Sequence, residues 1–316
     1  MSLEIIFWEN LKEVERIKIL KRPEASQDTS IKLGANKIID EVRLNGDRAL
    51  FELTNKLDGA SLQTLRVSDD EIKNSKKQLS SEALDAINLA INNIKNFHEQ
   101  QIPKSIDIET MPGVRCERIS QPLDAVGLYV PAGTAPLPSA AIMLGVPAKI
   151  AGCPRTILCT PPQSDGTAHP AVLLAASLAG VDEIYKVGGA QAVAAMAYGT
   201  ESIGKVQKIF GPGNSWVTAA KSIVSSDPDG SAIDLPAGPS EVLVIADKYA
   251  SAEFVAADLL SQAEHGIDSH VLLVTDDLDL AISVQKEIDD QLLSLSRSEI
   301  AGATLKNSNI IVAKDI

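Results

Sequence analysis

Aromatic residues are scarce in this 316-residue chain, at 3%, and acidic side chains outnumber basic ones by 42 to 29, for a net charge of −13. A chain so poor in rings and so negative has little to stack on bases and repels phosphate backbones, which argues against nucleic acid as a partner. Cysteine is scarce too. Cys116, Cys153 and Cys159 are odd in number and form no CxxC pair, which speaks against a disulfide or zinc-finger framework and fits a reducing cytoplasm. No stretch reaches the roughly 18 apolar residues of a membrane helix; the longest, HPAVLLAASLAGV, runs into Asp182 and Glu183. The opening MSLEIIFWENLK carries Glu4 and Glu9 and no basic segment ahead of a cleavage site, so the chain is read as having neither signal peptide nor membrane span. Tandem repeats and low-complexity tracts are missing as well.

What the chain does have is apolar material, 45% of its residues, at a mean hydropathy of +0.05. That excludes a mainly disordered chain, and the length suggests two domains of roughly 150 residues. The first third is helical in pattern. Leu84, Ile87, Ile91 and Ile94 step along one face of an amphipathic helix, Ser68 with Glu71 makes a capping box, and 30–58 reads as helix broken near Asn45-Gly46. Pro103 and Pro112-Gly113 end this region. Seven short aliphatic runs follow, at 126–130, 156–160, 183–187, 208–210, 242–246, 270–274 and 309–312, separated by alanine-rich periodic stretches. Strands alternating with helices imply βαβ crossovers and parallel sheets, hence an α/β fold. The turn-rich 225–231 reads as a crossing between two α/β units.

Several motifs bear on chemistry. Residues 199–206, GTESIGKV, mimic P-loop spacing but place Val206 where a magnesium-binding hydroxyl belongs, so nucleoside triphosphate binding is discounted. Two strand-to-helix turns, Gly188-Gly189-Ala190-Gln191 and Gly211-Pro212-Gly213-Asn214, place glycines before helical stretches. Each alone reads as a structural turn; together, each ending in an amide side chain, they frame a nucleotide-sized polar cleft. Neither is an intact G-x-G-x-x-G.

The strongest segment is 233–266, IDLPAGPSEVLVIADKYASAEFVAADLLSQAEHG. Its tight loop presents Ser240 and Glu241 at a strand end, where α/β proteins bind ligands. Its helix, expected to start at a Ser251 cap and stop at Gly266, sets Gln262 and His265 on one face. An amide oxygen and an imidazole nitrogen so placed can share a metal, though a zinc site wants three or four protein ligands. The thiols read as inert core groups rather than aldehyde-binding nucleophiles, and His98, His169 and His270 are assigned no chemistry.

The runs ID-x-PAGPSEV-LVIAD and A-x-DLLSQAEHG resemble the signature of the L-histidinol dehydrogenase family. Supporting stretches are VRCERIS at 114–120, VGLYVPAGTAPLPSAAIML at 126–144, VPAKIAGC at 146–153, EIYKVGGAQAVAAMAYGTESI at 183–203 and KIFGPGN at 208–214. The resemblance implies an NAD-dependent cytoplasmic enzyme of histidine biosynthesis that oxidises L-histidinol to L-histidine through L-histidinaldehyde. It further implies one zinc per site, a homodimer, and two domains resembling incomplete Rossmann folds with parallel sheets. Carried over by position, Tyr129, Gln191 and Asn214 would bind NAD, Ser240 would touch the substrate, and Gln262 and His265 would serve both zinc and substrate. Zinc in that role would orient the carbon that loses hydride.

From this reading the expected domains are an arm at 1–24, a discontinuous α/β domain of 25–120 with 238–316, and an NAD-side domain at 121–237. The likeness runs to 309–316, NIIVAKDI. In the family this strand leads to a Glu-His pair acting as acid and base, then to further zinc ligands, which would lie beyond Ile316. No catalytic acid or base is therefore assigned within the chain. The rival reading is a catalytically incomplete remnant that binds nucleotide or a partner chain.

Overall fold

The computed structural model describes residues 3–21, 29–132, 135–236 and 240–315. The chain divides into two compact units, one formed by Thr29–Ala237 and one by Met1–Asp28 with Gly238–Ile316. Strand β1 (Glu4–Phe7) and helix α1 (Glu13–Leu20) open the chain and belong to the second of these, the smaller unit.

The larger unit begins with α2 (Thr29–Asp58), broken where expected: Gly46, at φ 55° and ψ −134°, takes a conformation that a side chain would strain. Helix α3 (Asp69–Lys77) starts on the expected capping box. The Glu71 N–H donates to Ser68 Oγ at 3.2 Å, and the Ser68 N–H donates to Glu71 Oε2 at 2.9 Å. Helix α4 (Ser81–Glu99) buries Ile87 and packs Leu84, Ile91 and Ile94 on the same core. A hairpin of β2 (Ile106–Met111) and β3 (Val114–Arg118) then turns at Pro112-Gly113, exposed along both strands.

Five parallel strands follow: β4 (Ala125–Tyr129), β5 (Arg155–Thr160), β6 (Glu183–Lys186), β7 (Lys208–Phe210) and β8 (Ala232–Ile233). Their order is β6-β5-β4-β7-β8. Alternation along them sorts the side chains. Val126, Leu128, Leu158 and Ile184 join one core with α5 (Pro138–Ile150) and α6 (Pro170–Leu178), while Tyr129, Ile157, Cys159 and Tyr185 join the other with α7 (Gly189–Tyr198) and α8 (Ser215–Ser226). A parallel sheet buried on both faces is the α/β arrangement expected.

Two expectations change here. The helices of 29–99 were grouped with 238–316, but they form a second layer over the sheet of 121–237, with α2 on α7 and α8, α3 on α6, and α4 on α5. The reason lies in α7: residues 190–197 are all buried, and a helix with no polar face needs cover on its outer side as well. The turn-rich 225–231 likewise stays inside this unit, returning the chain from α8 to β8. Asp227 in it accepts from Arg43 Nη1 and from the Tyr198 hydroxyl, both at 2.9 Å. The crossing comes later, at 237–238.

The smaller unit adds β9 (Glu241–Ile245), α9 (Ala252–Ala263), β10 (His270–Thr275), α10 (Leu278–Leu292), α11 (Ser298–Leu305) and β11 (Asn309–Val312). Its sheet is parallel, in the order β1-β11-β10-β9, so the opening segment is a strand rather than an arm. The Ser251 side chain makes no cap bond, and α9 ends at Ala263 rather than at Gly266. Thr304 Oγ1 supplies the stop, lying 2.9 Å from the Ala263 carbonyl and 2.7 Å from that of Gly266. Among the described residues no helix is long and apolar enough to cross a membrane.

Because both halves of its box are formed, Ser68→Ala should destabilise the larger unit by about 1 kcal/mol in chemical denaturation; an unchanged midpoint would show the α3 cap to be idle.

Candidate functional site

The two glycine turns lie at the carboxyl ends of β6 and β7, on either side of β4 and β5 in the same sheet. At the first, the N-cap Gly188 has no side chain to satisfy the free N–H groups of α7. The Gly189 N–H instead donates to the Tyr129 hydroxyl at 3.0 Å. Tyr129 is 4% exposed, and burial, opposed by this bond and assisted by nearby Asp58 and Cys159, pushes its hydroxyl up to about 12. It is therefore a neutral group at ordinary pH, with a proton still to donate. Gln191, 1% exposed, has a buried Oε1 with no partner.

Two further buried groups escape sequence patterns. Asp58, the last residue of α2, holds a buried Oδ2 without a partner, and burial pushes its carboxyl from 3.8 up to about 6. Thr160, the last residue of β5 and fully buried, also has an unpartnered hydroxyl. Asp58 looks like an ordinary polar helix end in sequence, and Thr160 like strand material. A left-over buried polar atom marks a place where a ligand or water completes the structure.

At the second turn, Gly211 has φ 124°, and a Cβ there would come within 2.2 Å of the Tyr129 carbonyl oxygen. Only glycine allows that approach. The buried Lys221 donates to the Gly211 carbonyl at 2.9 Å and pairs with Asp234, which in turn accepts from the Gly211 N–H at 2.9 Å. Burial pushes the Asp234 carboxyl up, but the bonds from Lys221, Gly211 and Leu235 outweigh it and hold the group below the usual carboxylate range. Asn214 caps α8, its Oδ1 accepting from the Val217 N–H at 3.1 Å, so its amide nitrogen is what it can offer a ligand. The structure thus brings Tyr129 and Gln191 to one turn and sets Asn214 at the neighbouring strand end.

In the smaller unit, Ala237-Gly238-Pro239 lie outside the described residues. Ser240 is half-buried before β9, its carbonyl accepting from the His270 N–H at 3.0 Å. Gln262 is half-buried near the end of α9. His265 falls beyond the helix, exposed, in a turn closed by its N–H to the Gln262 carbonyl at 3.2 Å. The pair is held together by that turn rather than by a continuous helical face. Among the described residues no group of three or more His, Cys, Asp or Glu is arranged to hold a metal.

The remaining motifs are structural. Lys205 of the P-loop-like stretch donates to the Asp229 carbonyl at 2.8 Å, and Thr200 bonds Asp47 at 2.6 Å. His169 caps α6 through Nδ1, at 3.3 Å from the Ala171 nitrogen. Cys159 is fully buried and its thiol is pushed up by burial, the inert state expected, whereas Cys116 is exposed on the hairpin.

The family model for histidinol dehydrogenase matches residues 20–316. Histidinol dehydrogenase of Vibrio parahaemolyticus is 50% identical over 314 residues, 99% of this chain and 72% of the relative; that of Campylobacter jejuni is 49% identical over the same shares. The crystal structure of histidinol dehydrogenase from Elizabethkingia anophelis superposes with a TM-score of 0.92 at 44% identity, covering 99% of this chain and 71% of that one.

The raised Asp58 carboxyl makes a pH-dependent prediction. Between pH 3.8 and about 6 the folded chain holds a proton that the unfolded chain has lost, so this group's contribution to stability falls as pH rises through that window. Asp58→Asn should melt higher than the parent at pH 7, by about 1–2 kcal/mol once solvent screening is allowed for, and equally at pH 3.8 and below. A difference that does not narrow on acidification would mean that the carboxylate is not strained by burial.

Proposed function

The chain belongs to the histidinol dehydrogenase family and is an oxidoreductase, and on that premise we propose that it oxidises L-histidinol to L-histidine through L-histidinaldehyde, passing two hydrides to NAD. The observation that carries the cofactor half is the buried, unpartnered Gln191 Oε1 beside the uncapped start of α7. NAD when bound supplies the hydride acceptor. The chain supplies the cradle: Tyr129 donates its hydroxyl proton, Gln191 accepts through its amide oxygen, and Asn214 donates through the amide nitrogen left free by its capping role.

Ser240, Gln262 and His265 would hold the substrate. Imidazole and amide oxygen suit zinc, and the turn joining Gln262 to His265 keeps the two donors near each other, but two donors alone do not close a zinc sphere. When bound, zinc would supply a Lewis acid that fixes the substrate's amine and imidazole. The role of these three side chains is orientation of the carbinol carbon for loss of hydride, and such positioning is worth several kcal/mol of barrier. Homodimeric assembly and a cytoplasmic setting belong to the same proposal and rest on the family likeness.

The test mixes the purified chain with L-histidinol, NAD and Zn²⁺ and follows NADH absorbance. Two NADH per L-histidinol are expected, with loss on adding a chelator and in Gln262→Ala or His265→Ala. Gln191→Ala should raise KM for NAD by about tenfold, the worth of a hydrogen bond from a buried amide. Absence of turnover with verified, folded protein would favour the remnant reading, in which nucleotide still binds.

A further inference from the structure

Two side chains that flank the Gly188-Gly189 turn each carry a buried oxygen without a partner, Asp58 Oδ2 and Gln191 Oε1. A Cβ on Gly188 would stand 3.5 Å from Asp58 Oδ1, and one on Gly189 would stand 2.7 Å from Gln191 Oε1. Gln191 is 1% exposed, so its oxygen does not satisfy itself in bulk water.

The chemistry of these atoms says what they can take. An amide oxygen and a carboxylate only accept hydrogen bonds. The start of α7, 10 residues long and capped only by Gly188, would by itself favour an anion. The side chains around it reverse that preference locally, because a carboxylate repels a phosphate while it welcomes neutral donors. An amide oxygen and a carboxylate facing one turn, beside the Tyr129 hydroxyl that the Gly189 N–H bonds there, match a vicinal diol, whose two O–H groups need acceptors and whose oxygens can receive a bond in return. In a dinucleotide that diol belongs to a ribose, with the pyrophosphate free to sit against backbone N–H groups elsewhere.

We infer that Asp58 is the residue that selects the cofactor, accepting hydrogen bonds from ribose hydroxyls of NAD and excluding NADP, whose 2′-phosphate would remove a donor and set a dianion against the carboxylate. The inference rests on the reading of the Tyr129–Gln191 turn as the cofactor site and adds to it the basis of discrimination. It also explains why the fold tolerates a carboxyl with a buried oxygen that has no partner among the described residues: the bond that relieves it arrives with the ligand.

Calorimetric titration of the intact chain with NAD and with NADP tests this, using the parent, Asp58→Asn and Gln191→Ala. The parent should bind NAD at least tenfold more tightly than NADP. In Asp58→Asn, NAD should weaken by about tenfold while NADP strengthens or holds, so that the preference collapses. Gln191→Ala, which removes no charge, should weaken NAD but leave the exclusion of NADP in place. Circular dichroism and a melting temperature at or above the parent's establish that Asp58→Asn is folded. If the parent binds NAD and Asp58→Asn keeps both the affinity and the preference, the selector role is wrong while the cofactor turn stands. If the parent binds neither nucleotide, the cofactor-site reading falls and this inference falls with it.

Discussion

A helix without a polar face cannot border water, and the larger unit is organised around one. Residues 190–197 of α7 are buried on every side, so the helix must be covered by the sheet beneath and by α2 above. That requirement draws α2 onto α7 and α8, closes the core that contains Tyr129, Cys159 and Tyr185, and fixes the first turn of α7 at the sheet's carboxyl edge. The Gly188-Gly189 turn thus starts a fully enclosed helix, and rigid backing of this kind is what the proposed cofactor site requires.

The two glycine turns are held by opposite devices. At Gly211 the backbone is bonded on both sides: Lys221 donates to its carbonyl, Asp234 accepts from its N–H, and the two side chains pair with each other. At Gly188-Gly189 the groups are left wanting, with Asp58 and Gln191 each carrying an unpartnered oxygen. The first arrangement stabilises a backbone shape. The second withholds stability that a ligand can restore, and a site built this way gains affinity in proportion to what the free protein forgoes.

The smaller unit presents a different problem. Gln262 and His265 sit where α9 gives way to a turn, and Thr304 anchors that end by bonding the carbonyls of Ala263 and Gly266. The donors are therefore fixed by a tertiary contact from α11 rather than by helical regularity. Two side chains able to ligate zinc thus sit on a well-held turn, and among the described residues no group of three or more His, Cys, Asp or Glu is arranged to hold a metal.

Much was legible in the sequence because it depends on local physics. The capping box at Ser68, the break at Gly46, the seven aliphatic strands and the α/β alternation all follow from side-chain periodicity and turn chemistry within a few residues. The proposal that Tyr129, Gln191 and Asn214 bind NAD, that Ser240 touches the substrate and that Gln262 and His265 serve zinc and substrate rests on a family pattern of long, specific runs. What required the tertiary structure was every decision made between distant segments: which sheet α2–α4 would cover, that the opening EIIF would pair with β11, and that the 225–231 loop would fold back rather than cross. Asp58 belongs there too, since a helix end carries no mark of a ligand site until the fold sets its carboxyl, with a buried and unpartnered oxygen, beside a glycine turn. Periodicity is written into neighbours along the chain, whereas burial and partnership depend on what the other elements bring near.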